Sequence, residues 1–249
     1  GSFLEQIMKR AYKVHPYRWP IIGSMAHLDA AVESDYKNFY KNFYVPNNAI
    51  VSIAGDIDYE NARAQVIKYF GSIPKSTKPV FRPNIVEPPL GGEVRDTFYD
   101  NIQLPGVIMA YRIPAGGTPD YYAVAMLGTL LSQGESSRLQ KALVDEQQKA
   151  VDVGNIPLDL ENPGVSIAYA ICSMGTDALD AEKSVTAEID KIKTETISDE
   201  EFQKLRNQVE NDFVTSNARV AGIAESLANY KMYYGDTNLI NTELNRYLA

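Results

Sequence analysis

Histidine and cysteine are nearly missing from this sequence, which holds two and one of them in 249 residues. His15 and His27 stand twelve positions apart. An inverted zinc-binding helix, H-x-x-E-H, needs a pair four apart with a glutamate before the second. What is left cannot supply three metal ligands, and a serine nucleophile would have only the same two histidines as a base. The lone Cys172 excludes a disulfide within the chain and leaves the compartment open. Long apolar runs are lacking too: nothing approaches the roughly 18 residues of a membrane span, and no signal peptide is visible. Basic charge is scarce, with 24 lysines and arginines against 32 acids and a net charge of -8. That balance argues against a binder of nucleic-acid backbone. Gly91-Gly92 and Gly116-Gly117 lack a following lysine and a G-x-G-x-x-G frame, so no phosphate-cradling loop is expected.

What is present is ordinary globular material, 45% hydrophobic and 22% charged, in a length that suits one large domain or two medium ones. The acidic excess is local. Residues 177–212 hold eleven acids against five bases, as the solvated outer face of two helices would, or a docking surface for a basic partner. Gly1-Ser2 reads as a cloning scar, and the chain then enters an amphipathic helix through Phe3, Ile7, Met8 and Ala11. An excised fragment is expected, without the targeting information of its parent.

Pro16 and Pro20 stop that helix. Ser34 is expected to cap a helix over residues 35–44, with Tyr36, Phe39, Tyr40 and Phe43 at helical spacing. A β-branched strand is expected over 49–54 and a helix capped by Asp58 and closed by Gly71 after it. Five prolines within residues 72–92, followed by Gly91-Gly92, predict an extended, semi-rigid connector. Beyond it the pattern gives strands over 93–99, 106–112, 150–156 and 164–172. Helices are expected over 121–131, from Ser136 and Ser137 through Val144, and throughout the C-terminal third. Ser198 and Glu201 have capping-box spacing. The apolar stripe from Phe202 to Tyr234 is too long for one ordinary helix, which predicts a break near residues 216–222.

Taken singly, the polar candidates read as structural. His15 lacks companion ligands and suits a hydrogen-bonded turn; His27 suits a structural or exposed place. Ser136 and Ser137 are not in a G-x-S-x-G elbow and are expected to cap a helix. Of Asp56 and Asp58, the second is better used as an N-cap than as a metal ligand. The 16 tyrosines are expected in the core or lining a groove, some of them a peptide channel. No catalytic, metal or cofactor residue is assigned.

Several segments occur in a telling order. His15-Pro16-Tyr17-Arg18-Trp19-Pro20-Ile21-Ile22-Gly23 is followed by Tyr44-Val45-Pro46-Asn47-Asn48 and the apolar run to Asp56. Then come Pro105-Gly106-Val107, Tyr111-Arg112-Ile113-Pro114, Asp120-Tyr121-Tyr122-Ala123, Gly134-Glu135-Ser136-Ser137-Arg138-Leu139, Asn162-Pro163-Gly164 and Ser198-Asp199-Glu200-Glu201-Phe202. Together they resemble the M16 zinc metallopeptidases, the pitrilysin, insulinase and mitochondrial processing peptidase family. Arg18-Trp19 stands where the family most often has glycine, and residues 143–150 depart from its usual glycine- and aromatic-containing segment.

The resemblance implies an α+β fold of two related M16-type domains, mainly antiparallel sheet packed against helices. Residues 3–74 would be the C-terminal part of the first domain, 75–92 a proline-rich linker, and 93–249 most of a metal-free second domain. It implies a non-catalytic fragment of a zinc-dependent endopeptidase, serving as chamber wall and peptide-binding surface, with zinc held elsewhere in the parent. A scaffold or partner protein with a degenerate metal motif is the alternative. Expected partners are unfolded peptide substrates and either the catalytic domain or a homologous subunit, not nucleic acid. The compartment is not assigned; a soluble protein of the bacterial periplasm or cytoplasm is compatible with the sequence.

Overall fold

The computed structural model describes residues 2–248; Gly1, half of the expected cloning scar, lies outside them. The chain divides into two compact units, one running through Leu90 and including Thr215–Ile240, the other comprising Gly91–Val214 and the residues from Asn241 on.

Short helices build the first unit. Helix α1 (Ser2–Ala11) buries Ile7 and Ala11, one turn apart on one face. After a single 3-10 turn at Pro16–Arg18 come α2 (Met25–Ala30) and α3 (Glu33–Phe43). Helix α4 (Tyr59–Phe70) begins as expected, with the Asp58 carboxylate accepting from the Asn61 N–H at 2.7 Å. Helix α8 (Val220–Asn229) also belongs here. It starts after the expected break at residues 217–219, where the chain folds back so tightly that a Cβ on Gly222 would lie 1.9 Å from the Ser216 carbonyl. Two expectations fail. The cap of α3 is Val32, not Ser34, because the Asp35 carboxylate accepts the Val32 N–H at 3.0 Å and draws the start back into the previous turn. Residues 49–54 form no strand. Extended residues become a strand only when a neighbour supplies the other half of the ladder, and none of the described residues does.

The second unit is α+β, with an antiparallel sheet packed against helices. Strands β1 (Gly106–Arg112), β2 (Ala150–Pro157) and β3 (Val165–Cys172) lie in the order β1-β3-β2, antiparallel throughout. Met109 faces Ala168 and Val153 faces Ala170 across the ladders. These residues join Leu131 of α5 (Pro119–Ser132) and Val185 of α6 (Ala178–Thr194) in the main core. Leu139 and Leu143, beside and within the π-helical segment Gln140–Glu146, complete it. The small Ala168 and Ala170 let the helices close on the sheet; both are wholly buried. Helices α7 (Asp199–Ser216) and α9 (Leu239–Leu248) follow. The expected strand over 93–99 is absent. Arg95 there is drawn into ion pairs with Glu93 and with Glu182 of α6, and the Asp96 carboxylate takes the Thr97 N–H at 2.7 Å. Polar side chains thus compete with the ladder for that backbone.

Candidate functional site

The His15 turn is the most elaborate polar arrangement of the first unit. Three successive backbone N–H groups, of Lys13, Val14 and His15, converge on the carboxylate of Glu87 at 2.7, 2.9 and 2.7 Å. Consecutive N–H groups in a turn form a concavity that holds an anion. Glu87 comes from the proline-rich segment more than seventy positions away, so this is a tether and not a local cap. His15 itself is 5% exposed. Its Nδ1 accepts the Tyr17 N–H at 3.2 Å, and its ring lies 4.1 Å from that of Tyr17 and 5.9 Å from that of Tyr12. Burial lowers its pKa, against the pull of Glu87. A neutral ring with one nitrogen engaged suits a wedge in a turn. His27 is exposed on α2.

The second unit brings Arg138 and Glu201 together. The guanidinium donates from Nε and from its terminal nitrogen to the two carboxylate oxygens at 2.8 and 2.7 Å. That fork holds the Glu201 carboxyl below its ordinary range. The Ser198 hydroxyl caps α7 by accepting the Glu201 N–H at 3.2 Å, while the Glu201 side chain turns to Arg138. The serine expectation upstream needs correcting. The Ser136 hydroxyl is bonded by the Lys204 ammonium, and the Ser137 hydroxyl is buried without a hydrogen-bond partner. Neither hydroxyl caps a helix N–H; Ser137 holds the cap position through its carbonyl alone, which takes the first helical bond, from Lys141 at 3.0 Å. An ammonium that donates to serine offers no acceptor for the serine proton, so the pair is not a nucleophile with its base.

Near the chain end, the buried Tyr122 of α5 donates its hydroxyl to Glu243 of α9 at 3.2 Å, and its ring meets that of Tyr247 edge-on at 4.6 Å. Nothing in the sequence pattern marked this contact or the Glu87 tether, because each joins residues far apart along the chain. A third feature was readable: Gln203, Asn207 and Asn211 recur every four residues on α7.

Among the described residues, no group of three or more histidine, cysteine, aspartate or glutamate side chains could hold a metal ion. The residues around His15 do not fit one, since the ring is wedged between tyrosines and the Glu87 oxygens are committed to backbone N–H groups. Asp58 is likewise committed, to the start of α4. Among those residues, too, no helix is long and apolar enough to cross a membrane.

Sheet, helices and donor set together define an α+β protein built around packing and tethers, with no metal centre among the described residues. A sequence profile described as the inactive domain of peptidase M16 matches residues 33–209, and the chain belongs to that family. It is 28% identical over 232 residues to the zinc protease PqqE of Helicobacter pylori, covering 92% of this chain and 52% of that protein. The crystal structure of a protease from Helicobacter pylori superposes with a TM-score of 0.90 at 26% identity, over 100% of this chain and 60% of that one. A peptidase M16 inactive domain from Pseudomonas fluorescens shares the fold, with a TM-score of 0.74 at 16% identity over 98% of this chain and 57% of that one. The chain spans about half the length of the curated relatives it matches.

Proposed function

We propose that this chain is the non-catalytic part of a larger zinc-dependent endopeptidase, where it forms chamber wall and peptide-binding surface. Residues 3–74 then complete the first of two related domains, residues 75–92 link them, and residues 93–249 make up most of the second, although within that stretch Thr215–Ile240 group with the first compact unit. The observation that carries this reading is the uncovered apolar face of the first unit. Tyr36, Phe39, Tyr40 and Tyr44 on and after α3, and Ile50, Val51 and Ile53 in the extended run that follows, are all exposed. Apolar exposure on that scale calls for a protein cover, and an unpaired extended segment calls for a neighbouring strand. The catalytic portion of a longer protein, or a homologous subunit, supplies both. Family membership supports the non-catalytic role, and the relatives named as zinc proteases support zinc in the parent.

The test compares this chain with the full-length protein on an unfolded peptide substrate, with and without a chelator. Chelator-sensitive cleavage and bound zinc in the full-length protein only are the expected result. Cleavage by this chain alone would overturn the proposal. No cleavage and no zinc in either would leave the scaffold role in its place.

A further inference from the structure

We infer that the exposed face of α7 binds an extended polypeptide segment through the backbone of that segment. Gln203, Asn207 and Asn211 lie on this face, all exposed. With Gln208 and with Gln133, which follows α5, they line an open cleft of about 740 Å³ wholly within the second unit. Each side-chain amide carries a donor and an acceptor, as a peptide group does. Residues four apart on a helix recur every ~6 Å along its axis. In an extended strand, alternate residues turn the same edge of the backbone outward every ~6.7 Å. Over three amides the two repeats drift apart by only about 1.4 Å, within reach of flexible side chains.

Four of the five amides, all but Asn211, are already engaged in hydrogen bonds. Gln133 Nε2 donates to Asp212 at 2.8 Å, Gln203 Nε2 to Asn207 Oδ1 at 2.9 Å, and Gln208 Nε2 to the Gln133 carbonyl at 3.3 Å. The carbonyl oxygens of Gln203 and Gln208 and the amide nitrogen of Asn207 remain for an incoming strand. No aromatic or branched aliphatic side chain lines the cleft, so it has no pocket with which to select one sequence. Its rim carries Glu200 and Asp212 against Lys204, which favours neutral or basic segments. The assignment rests on the peptide-handling role proposed above and gives that role a place on this chain.

Fluorescence anisotropy of the 249-residue chain tests it, with a labelled peptide of about eight residues built from Ser, Thr, Gly and Lys to avoid the apolar face of the first unit. The peptide and its scrambled form are expected to bind alike. N-methylation of alternate residues, or the triple change Gln203→Ala, Asn207→Ala and Asn211→Ala, should each weaken binding at least about tenfold, since several hydrogen bonds are lost together. Circular dichroism checks that the triple variant keeps its helices; if it does not, Gln203→Ala and Asn207→Ala taken singly, both at exposed positions, replace it. Unchanged affinity of a folded triple variant would overturn the cleft while leaving the peptide-binding role intact. Loss of binding on scrambling would overturn backbone readout, and no binding of the peptide at all would overturn the cleft, the wider role being decided by the full-length protein.

Discussion

Glu201 shows how a single side chain can join two stretches that looked independent in the sequence. Its N–H is capped by Ser198 while its carboxylate grips Arg138, so the start of α7 is fastened to the helical turn that follows Ser137. Both side chains are mostly sheltered from solvent, which keeps the pair from being screened away as a surface bridge would be. The fork depresses the Glu201 pKa. Its stabilisation is therefore fully present above the ordinary glutamate value of about 4.3 and is lost as the pH falls through the lower, folded value. Glu201→Gln should cost about 1.5 kcal/mol at pH 7 in urea unfolding, the worth of charge-assisted bonds, and the deficit should shrink in acid. A pH-independent deficit would mean that packing, not charge, fastens the pair.

At the scale of elements, the proline-rich segment is anchored where it was expected to be only stiff. Prolines explain its extended course, but Glu87 fixes it to the turn after α1 through three backbone N–H groups. Glu87→Ala should raise amide hydrogen exchange at Lys13, Val14 and His15 by at least about tenfold, leaving exchange in β3 unchanged. Unaltered exchange at those three amides would show that the turn holds without the carboxylate. Which elements the sequence disclosed follows from the range of the forces involved. Strand β1, helix α4 and the break before α8 are written in local spacing, caps and turn residues, and were readable. The strands over 49–54 and 93–99 were misread because a β-branched or alternating run states a preference, while a strand needs a partner that local sequence does not name. The tether at Glu87 and the Tyr122–Glu243 contact are tertiary and left no local mark, whereas the amide row on α7 was legible but carried no motif to draw attention to it.

For the whole molecule, the two units differ in how much of their apolar surface they shelter. The second has a continuous core from α5 across the sheet to α6. In the first, aromatic and aliphatic side chains stand open from Trp19 to Phe81, with Ile21 and Ile22 almost wholly exposed. A folded chain with such a surface should bind the dye ANS at neutral pH and associate as its concentration rises, which fluorescence and light scattering would record. A strictly monomeric chain that leaves the dye dark would show that the face is covered in solution.

The π-helical segment Gln140–Glu146 has a longer reach than its length suggests. The Gln147 N–H bonds back to Ala142, five residues earlier, and the Lys149 N–H to Leu143, six earlier. Such a turn stows one residue more than an ordinary helix can. A descendant that dropped a single codon there could tighten into a regular helix and still deliver β2 to the same doorway, so that lineages would differ in length at this bend while keeping the same architecture.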